Sequence, residues 1–243
     1  MKGIDILGNI AIVKFPWKTS SAQKKKEATQ ILKIHKSVMT VVEKTEKFKG
    51  RLRTQTTRHL AGMKTKEVVY KENGCVFRFN IDTCYFSPRL SQERLETAHS
   101  VKKGERVLVM FGGVAPFTIA IAKHSKPKKV VSIELSRECS KYALENVKRN
   151  KVEKSVEIIQ GDVRRVLPKL KEKFDRIVMA RPNLEDPFLD MSFKVIKKGG
   201  IIRYYGFCRE DEVNKMKEMI LDEAKKAKIK IKIFNVKKAG DIG

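Results

Sequence analysis

Cysteines, acidic side chains and long apolar runs are all scarce in this 243-residue chain. No stretch of 18 or more consecutive apolar residues occurs, so no membrane-spanning helix is expected. The opening residues, Met1-Lys2-Gly3-Ile4-Asp5, begin no apolar run of signal-peptide length. Cys75, Cys84, Cys139 and Cys208 form no Cys-x-x-Cys pair, which argues against a zinc site or a disulfide framework and fits a reduced, cytoplasmic setting. The four histidines, His35, His59, His99 and His124, stand at no ligand spacing, and no metal is expected. A hydrophobic content of 41% supplies a core, so wholesale disorder is excluded.

Acidic residues number 28 against 54 lysines and arginines, a formal net charge of +26. Such an excess fits a polyanion partner, most often nucleic acid, or a lysine-rich proteome in which every surface is basic. Residues 1–100 hold 20 basic and 9 acidic side chains, and residues 101–243 hold 34 and 19. Both halves are basic, so no single tail carries the charge.

Two patterns meet near residue 100. Downstream, strands and helices alternate. Strands are predicted at 106–111, 129–134, 156–159, 175–180, 200–205 and 229–236, with helices over 118–124, 137–151 and 211–228 between some of them. That alternation predicts an α/β unit with a parallel sheet covered on both faces. Upstream the pattern is α+β: a strand over 9–15, a helix from Ser20 or Ser21 to about Ile34, a short strand over 38–42, and a hairpin of 66–71 and 75–81 around Asn73-Gly74. A helix over 91–101 joins the halves. Two domains are expected, 1–96 and 97–243.

The loop after the first downstream strand, Phe111-Gly112-Gly113-Val114-Ala115-Pro116-Phe117, is not the G-x-G-x-x-G dinucleotide fingerprint. It is a glycine pair at the carboxyl end of a strand, where open α/β sheets bind ligands. Glu134 ends the second strand, suited to accept from ribose hydroxyls, and Gly161-Asp162 ends the third. Either acid alone also reads as a helix cap. Together they argue an adenosine cofactor, and Ala115-Pro116 in place of a phosphate cradle favours S-adenosylmethionine.

Tyr85-Phe86-Ser87-Pro88-Arg89-Leu90-Ser91-Gln92-Glu93-Arg94, the glycine loop and Gly161-Asp162-Val163-Arg164 resemble one family, the archaeal and eukaryotic type of tRNA (guanine-N1)-methyltransferase. Leu7-Gly8-Asn9-Ile10-Ala11 and Gly50-Arg51-Leu52-Arg53 resemble its middle domain. The resemblance implies a Rossmann-like class I methyltransferase sheet behind a smaller α+β domain that positions tRNA. It also implies a short member without the small tRNA-elbow domain, and a sheet that lacks its last strand. The implied activity is methyl transfer from S-adenosylmethionine to N1 of guanosine 37, with tRNA as partner and no obligate protein partner. By the same resemblance Glu93 is the general base and Arg53 the cation that stabilises charge on the guanine oxygen. Arg94, Phe111, Gly112, Gly113, Glu134, Leu135, Asp162, Val163 and Ala180 fall at cofactor positions. Without the family pattern, Glu93-Arg94 reads as an exposed helical pair. Tyr85, Phe86, Tyr204 and Tyr205 read as core aromatics or as stacking partners for a base.

The chain departs from the family at three places. The motif Asn-Leu-Pro is Ala180-Arg181-Pro182, a strand-one aspartate is Val109, and a loop glycine is Ala115. The missing amide puts the target nucleoside in question and makes Arg181, with Asn183 beside it, the candidate to position the base. The competing expectations are an aminocarboxypropyl transferase of the wybutosine pathway and a non-catalytic tRNA-binding relative.

Overall fold

A computed structural model describes residues 3–46, 50, 52–180 and 185–239. The small sheet forms first along the chain. β1 (Gly3–Leu7) and β2 (Ile10–Lys14) pair antiparallel, and β2 then lies parallel to β3 (Thr40–Lys44). Parallel neighbours need a crossover, supplied here by α1 (Ser21–Ile34). The Ser20 hydroxyl caps that helix by accepting from the Gln23 N–H at 3.2 Å, and its buried face, Ala28 and Ile31, packs on Ala11, Val13 and Val41. β4 (Thr57–Gly62) closes the order β1-β2-β3-β4.

The hairpin of β5 (Glu67–Glu72) and β6 (Cys75–Asn80) turns at Asn73 and Gly74, with φ of +45° and +68°. Two successive positive values suit a tight hairpin whose twist matches its strands. Phe77 and Phe79, alternate residues of β6, are fully buried. The outer edge of β6 is capped by two asparagines of α4 (Arg137–Arg149) and its C-cap, rather than by a strand. Asn146 Oδ1 accepts from the Arg78 N–H at 2.7 Å and Asn150 Oδ1 from the Val76 N–H at 2.9 Å, and their amides donate back to the same residues' carbonyls. Residues one helical turn apart thus satisfy an edge that would otherwise be left open. The hairpin lies against the large α/β unit, and the expected boundary at 96 and 97 falls inside α2 (Ser91–His99).

The large sheet is wholly parallel. It holds β7 (Arg106–Met110), β8 (Lys129–Glu134), β9 (Val156–Gln160), β10 (Phe174–Met179) and β11 (Ile196–Tyr204) in the order β11-β10-β7-β8-β9. Its central strands are buried on both faces. Val107 and Val109 of β7 face α2 and α3 (Pro116–His124), whereas Leu108 and Met110 face α5 (Val163–Val166), α6 (Leu189–Val195) and α7 (Val213–Lys226). The chain leaves β7 for β8 on one side and returns to β10 on the other. That reversal opens the crevice where such sheets bind ligands.

Several elements differ from expectation. Residues 229–236 form no strand, and the five-stranded sheet ends at β11 among the described residues. Their alternation of isoleucine and lysine is strand-like, yet Ile229 and Ile231 pack their side chains on the core while the backbone joins no ladder. β1, a five-residue segment, β4, poor in apolar alternation, and the short α5 and α6 have no counterpart in the sequence reading. The strand expected at 38–42 falls two residues later.

Candidate active site

The loop between β7 and α3 is shaped by close approach. A Cβ on Gly112 would stand 2.1 Å from Ser132 Oγ on β8. The Gly112 N–H donates to the Ile133 carbonyl at 2.9 Å, which lays the loop across the end of β8. Phe111, Gly113 and Ala115 all have positive φ, and Pro116 then starts α3 with a backbone already set for a helix.

That fold of the loop fixes Glu134. Its Oε2 accepts from the Gly113 N–H and its Oε1 from the Ser136 N–H, both at 2.7 Å. Burial pushes its pKa above the ordinary carboxylate value, against the lowering effect of those backbone donors. Asp162 caps α5 by accepting from the Arg164 N–H at 2.9 Å. The cap reading thus holds for Asp162, whereas Ser136 rather than Glu134 caps α4, and both acids line the same cavity. Leu135 and buried Val163 supply apolar wall, and Phe111 meets Phe188 edge to face at 5.0 Å. Two carboxylates at adjacent strand ends, a loop without side-chain bulk and apolar plates fit an adenosine group with its ribose on Glu134.

Glu93 and Arg94 are not an exposed pair. Arg94 is 1% exposed, and its guanidinium forks onto Glu72 at 2.5 and 2.6 Å, donates to the Ser87 carbonyl at 3.0 Å and lies over Phe86. Its charge is engaged by Glu72, so it serves this cavity as wall. Glu93, 6% exposed, is an acceptor for three donors. Oε1 takes Arg203 Nη1 at 2.6 Å and the Tyr205 hydroxyl at 2.8 Å, and Oε2 takes Lys237 Nζ at 2.6 Å. Tyr205 also meets Thr97 Oγ1 at 3.2 Å, and burial pushes its phenol pKa up. Arg53 sits with φ of +51° and places its guanidinium 3.9 Å from the Tyr85 ring centroid.

A single cavity of about 1810 Å³ joins these groups. Arg53, Glu93 and Arg94 line it together with the glycine loop, Glu134, Leu135, Asp162 and Val163, and so does Ala180, which follows the end of β10. That volume exceeds the roughly 300–1,000 Å³ of small-ligand pockets, leaving room for a second, larger group beside a cofactor. Arg181 and Asn183 lie outside the described residues. Among the described residues no cluster could hold a metal ion, and no helix is long and apolar enough to cross a membrane. Of the aromatics, Tyr85, Phe86, Tyr204 and Tyr205 all line the cavity, and Phe86 also packs with Tyr70, Phe77 and Phe79 in the core.

Arg203 and Lys237 were not anticipated. They stand 110 and 144 positions from Glu93, and no local spacing signals a contact made by the end of a strand and a segment after the last helix.

A family model described as the TRM5/TYW2 methyltransferase domain matches residues 68–232. The tRNA (guanine(37)-N(1))-methyltransferase Trm5b of Pyrococcus abyssi is 36% identical over 231 residues, covering 95% of this chain and 68% of that protein. The tRNA (guanine(37)-N(1))/4-demethylwyosine(37)-methyltransferase Taw22 of Nanoarchaeum equitans is 33% identical, covering 98% of this chain and 95% of its own length. The crystal structure of Trm5b from Pyrococcus abyssi superposes with a TM-score of 0.81 at 36% identity, over 93% of this chain and 66% of that one. A complex of aTrm5 with tRNALeu gives 0.80 at 29% identity, over 90% and 64%. The chain thus spans just under two thirds of those solved chains. With the family model matched over residues 68–232 and relatives 36% and 33% identical along nearly the whole chain, the chain belongs to the TRM5/TYW2 methyltransferase family.

Proposed function

We propose that the chain methylates N1 of guanosine 37 in tRNA, with S-adenosylmethionine as donor, in the cytoplasm. The observation that carries this reading is the continuity of the cavity from Glu134 and Asp162 to Glu93 and Arg53. Bound there, the cofactor supplies an electrophilic methyl group. Glu134 holds its ribose, Asp162 and Val163 its base, and the bare Gly112-Gly113 backbone allows close approach. Guanine N1 holds its proton well above neutral pH, so the transfer needs a base. Glu93 accepts that proton, and Arg53 stabilises the charge that grows on the guanine oxygen. Arg203 and Tyr205 orient the Glu93 carboxylate, while Lys237 leaves it for the entering nucleotide. The target base must leave its stack to reach this depth. The sheet β1 to β4 with α1 forms the tRNA-positioning part.

Ala180 favours a second reading. The family's amide donor is absent there, and the Nanoarchaeum equitans relative is named for both guanine and 4-demethylwyosine. Incubation of the protein with labelled S-adenosylmethionine and separate tRNA transcripts, unmodified or bearing 4-demethylwyosine, followed by nucleoside mass spectrometry, tests both. A one-methyl gain on guanosine 37 supports the first reading, and a methyl gain on the modified base alone supports the second. A gain of an aminocarboxypropyl group, or no product from protein with demonstrated cofactor binding, overturns both.

A further inference from the structure

The tryptophan content of the chain is a single residue, and it is 97% exposed. Trp17 stands at the first corner of the turn between β2 and α1, where the Thr19 N–H donates to the Pro16 carbonyl at 3.1 Å. A large aromatic left in water forgoes the burial that usually places such side chains inside. Its surroundings are cationic. Exposed Lys18 follows it, and exposed Lys14 ends β2 three residues before it. The parallel register sets Val13 beside Glu43, so Lys14 and Lys44 end neighbouring strands on the same side of the sheet. Burial lowers the Lys44 pKa, and the charges of Lys14 and Arg53 lower it further, against an opposing contribution from Asp5. Three cations therefore crowd one sheet end, and the last of them, Arg53, lies over Tyr85 at the cavity.

Crowded like charges are unfavourable alone and become favourable against a polyanion. Protein-binding surfaces use tryptophan too, but they are depleted in lysine, which is the opposite of this setting. An aromatic platform beside a cationic track is the arrangement that binds unpaired nucleotides. We propose that this end of the small sheet is a single-stranded RNA platform, in which Trp17 stacks an unpaired base of the tRNA while Lys14, Lys18 and Lys44 follow the backbone towards the Glu93 cavity. The proposal rests on the tRNA reading and adds the surface that would carry it.

The lone tryptophan is its own probe. In a titration of the full chain with a tRNA transcript, its fluorescence is expected to quench and to saturate with the Kd measured by filter binding. Trp17→Ala is expected to weaken binding about 5- to 150-fold, and Trp17→Tyr to retain most of the affinity. Trp17→Ala should leave the slope of log K against log salt unchanged, whereas Lys14→Ala and Lys44→Ala should each reduce it by about one. Binding of tRNA with unaltered fluorescence and an unaffected Trp17→Ala variant would overturn the platform while leaving the methyltransferase reading intact. Absence of tRNA binding by the wild-type chain would overturn both. Quenching by a protein partner but not by RNA would reassign the surface.

Discussion

Replacing Gly112 by alanine adds one methyl group at the tightest point of the cofactor loop. The new Cβ would stand 2.1 Å from Ser132 Oγ, far inside contact distance, and the next neighbours, Ser132 Cβ and the Ile133 carbonyl oxygen, would be at ordinary 3.5 and 3.7 Å. Gly112 has no positive φ, so backbone strain does not enter. Ser132 is 1% exposed and cannot swing into solvent. Overpacking of this kind costs about 1–3 kcal/mol, read by urea denaturation. The loop must also shift, which loosens the Gly113 N–H on Glu134 one residue away. Losing such a bond to a charged acceptor costs about 1.5–3 kcal/mol of stability, and the displaced Glu134 carboxylate is expected to weaken cofactor binding as read by calorimetry. Ser132→Ala removes only the clashing atom. Gly112→Ala/Ser132→Ala is therefore expected to recover both stability and cofactor binding. A Gly112→Ala protein that melts and binds like the wild type, or one that Ser132→Ala does not rescue, would refute the steric reasoning.

Arg94→Met leaves Glu72, itself 9% exposed, without its forked partner, and is expected to cost about 3–5 kcal/mol in urea denaturation. Adding Glu72→Gln should recover part of that loss. Burial raises the Glu134 pKa, and ribose hydroxyls donate to the ionised form, so cofactor affinity should fall as pH drops from neutrality towards the ordinary carboxylate range, earlier than for an exposed glutamate. The apo protein should show the opposite sign. A raised folded-state pKa gives stability that is lost as pH rises through it, and Glu134→Gln should flatten both trends in calorimetry and denaturation.

Much of the α/β half was legible in the sequence because its central strands are buried on both faces. Val107 to Met110 are apolar without interruption and Val130 to Ile133 are broken only by buried Ser132, the pattern of a parallel sheet covered by helices on both faces. Asn73-Gly74 announced the hairpin through a local backbone requirement. The segment 229–236 misled for the complementary reason: alternation reports which side chains can be buried, not whether a neighbouring strand exists. Glu93-Arg94 shows the same limit at the site. Two charges in a row look solvated until Glu72, Arg203, Tyr205 and Lys237, none of them neighbours in sequence, arrive to satisfy them. Family resemblance flagged the pair, and the fold supplied the partners that let it be buried.

The most direct measurement is the single-turnover rate of Glu93→Gln on a tRNA transcript, with cofactor and tRNA both saturating and cofactor affinity measured alongside. Glutamine keeps the shape and loses the base. The expected result is a fall of about 10²- to 10⁴-fold in the methyl-transfer step with cofactor affinity unchanged, because general-base catalysis contributes on that scale. A Glu93→Gln protein that methylates at the wild-type rate would contradict the assignment of the base.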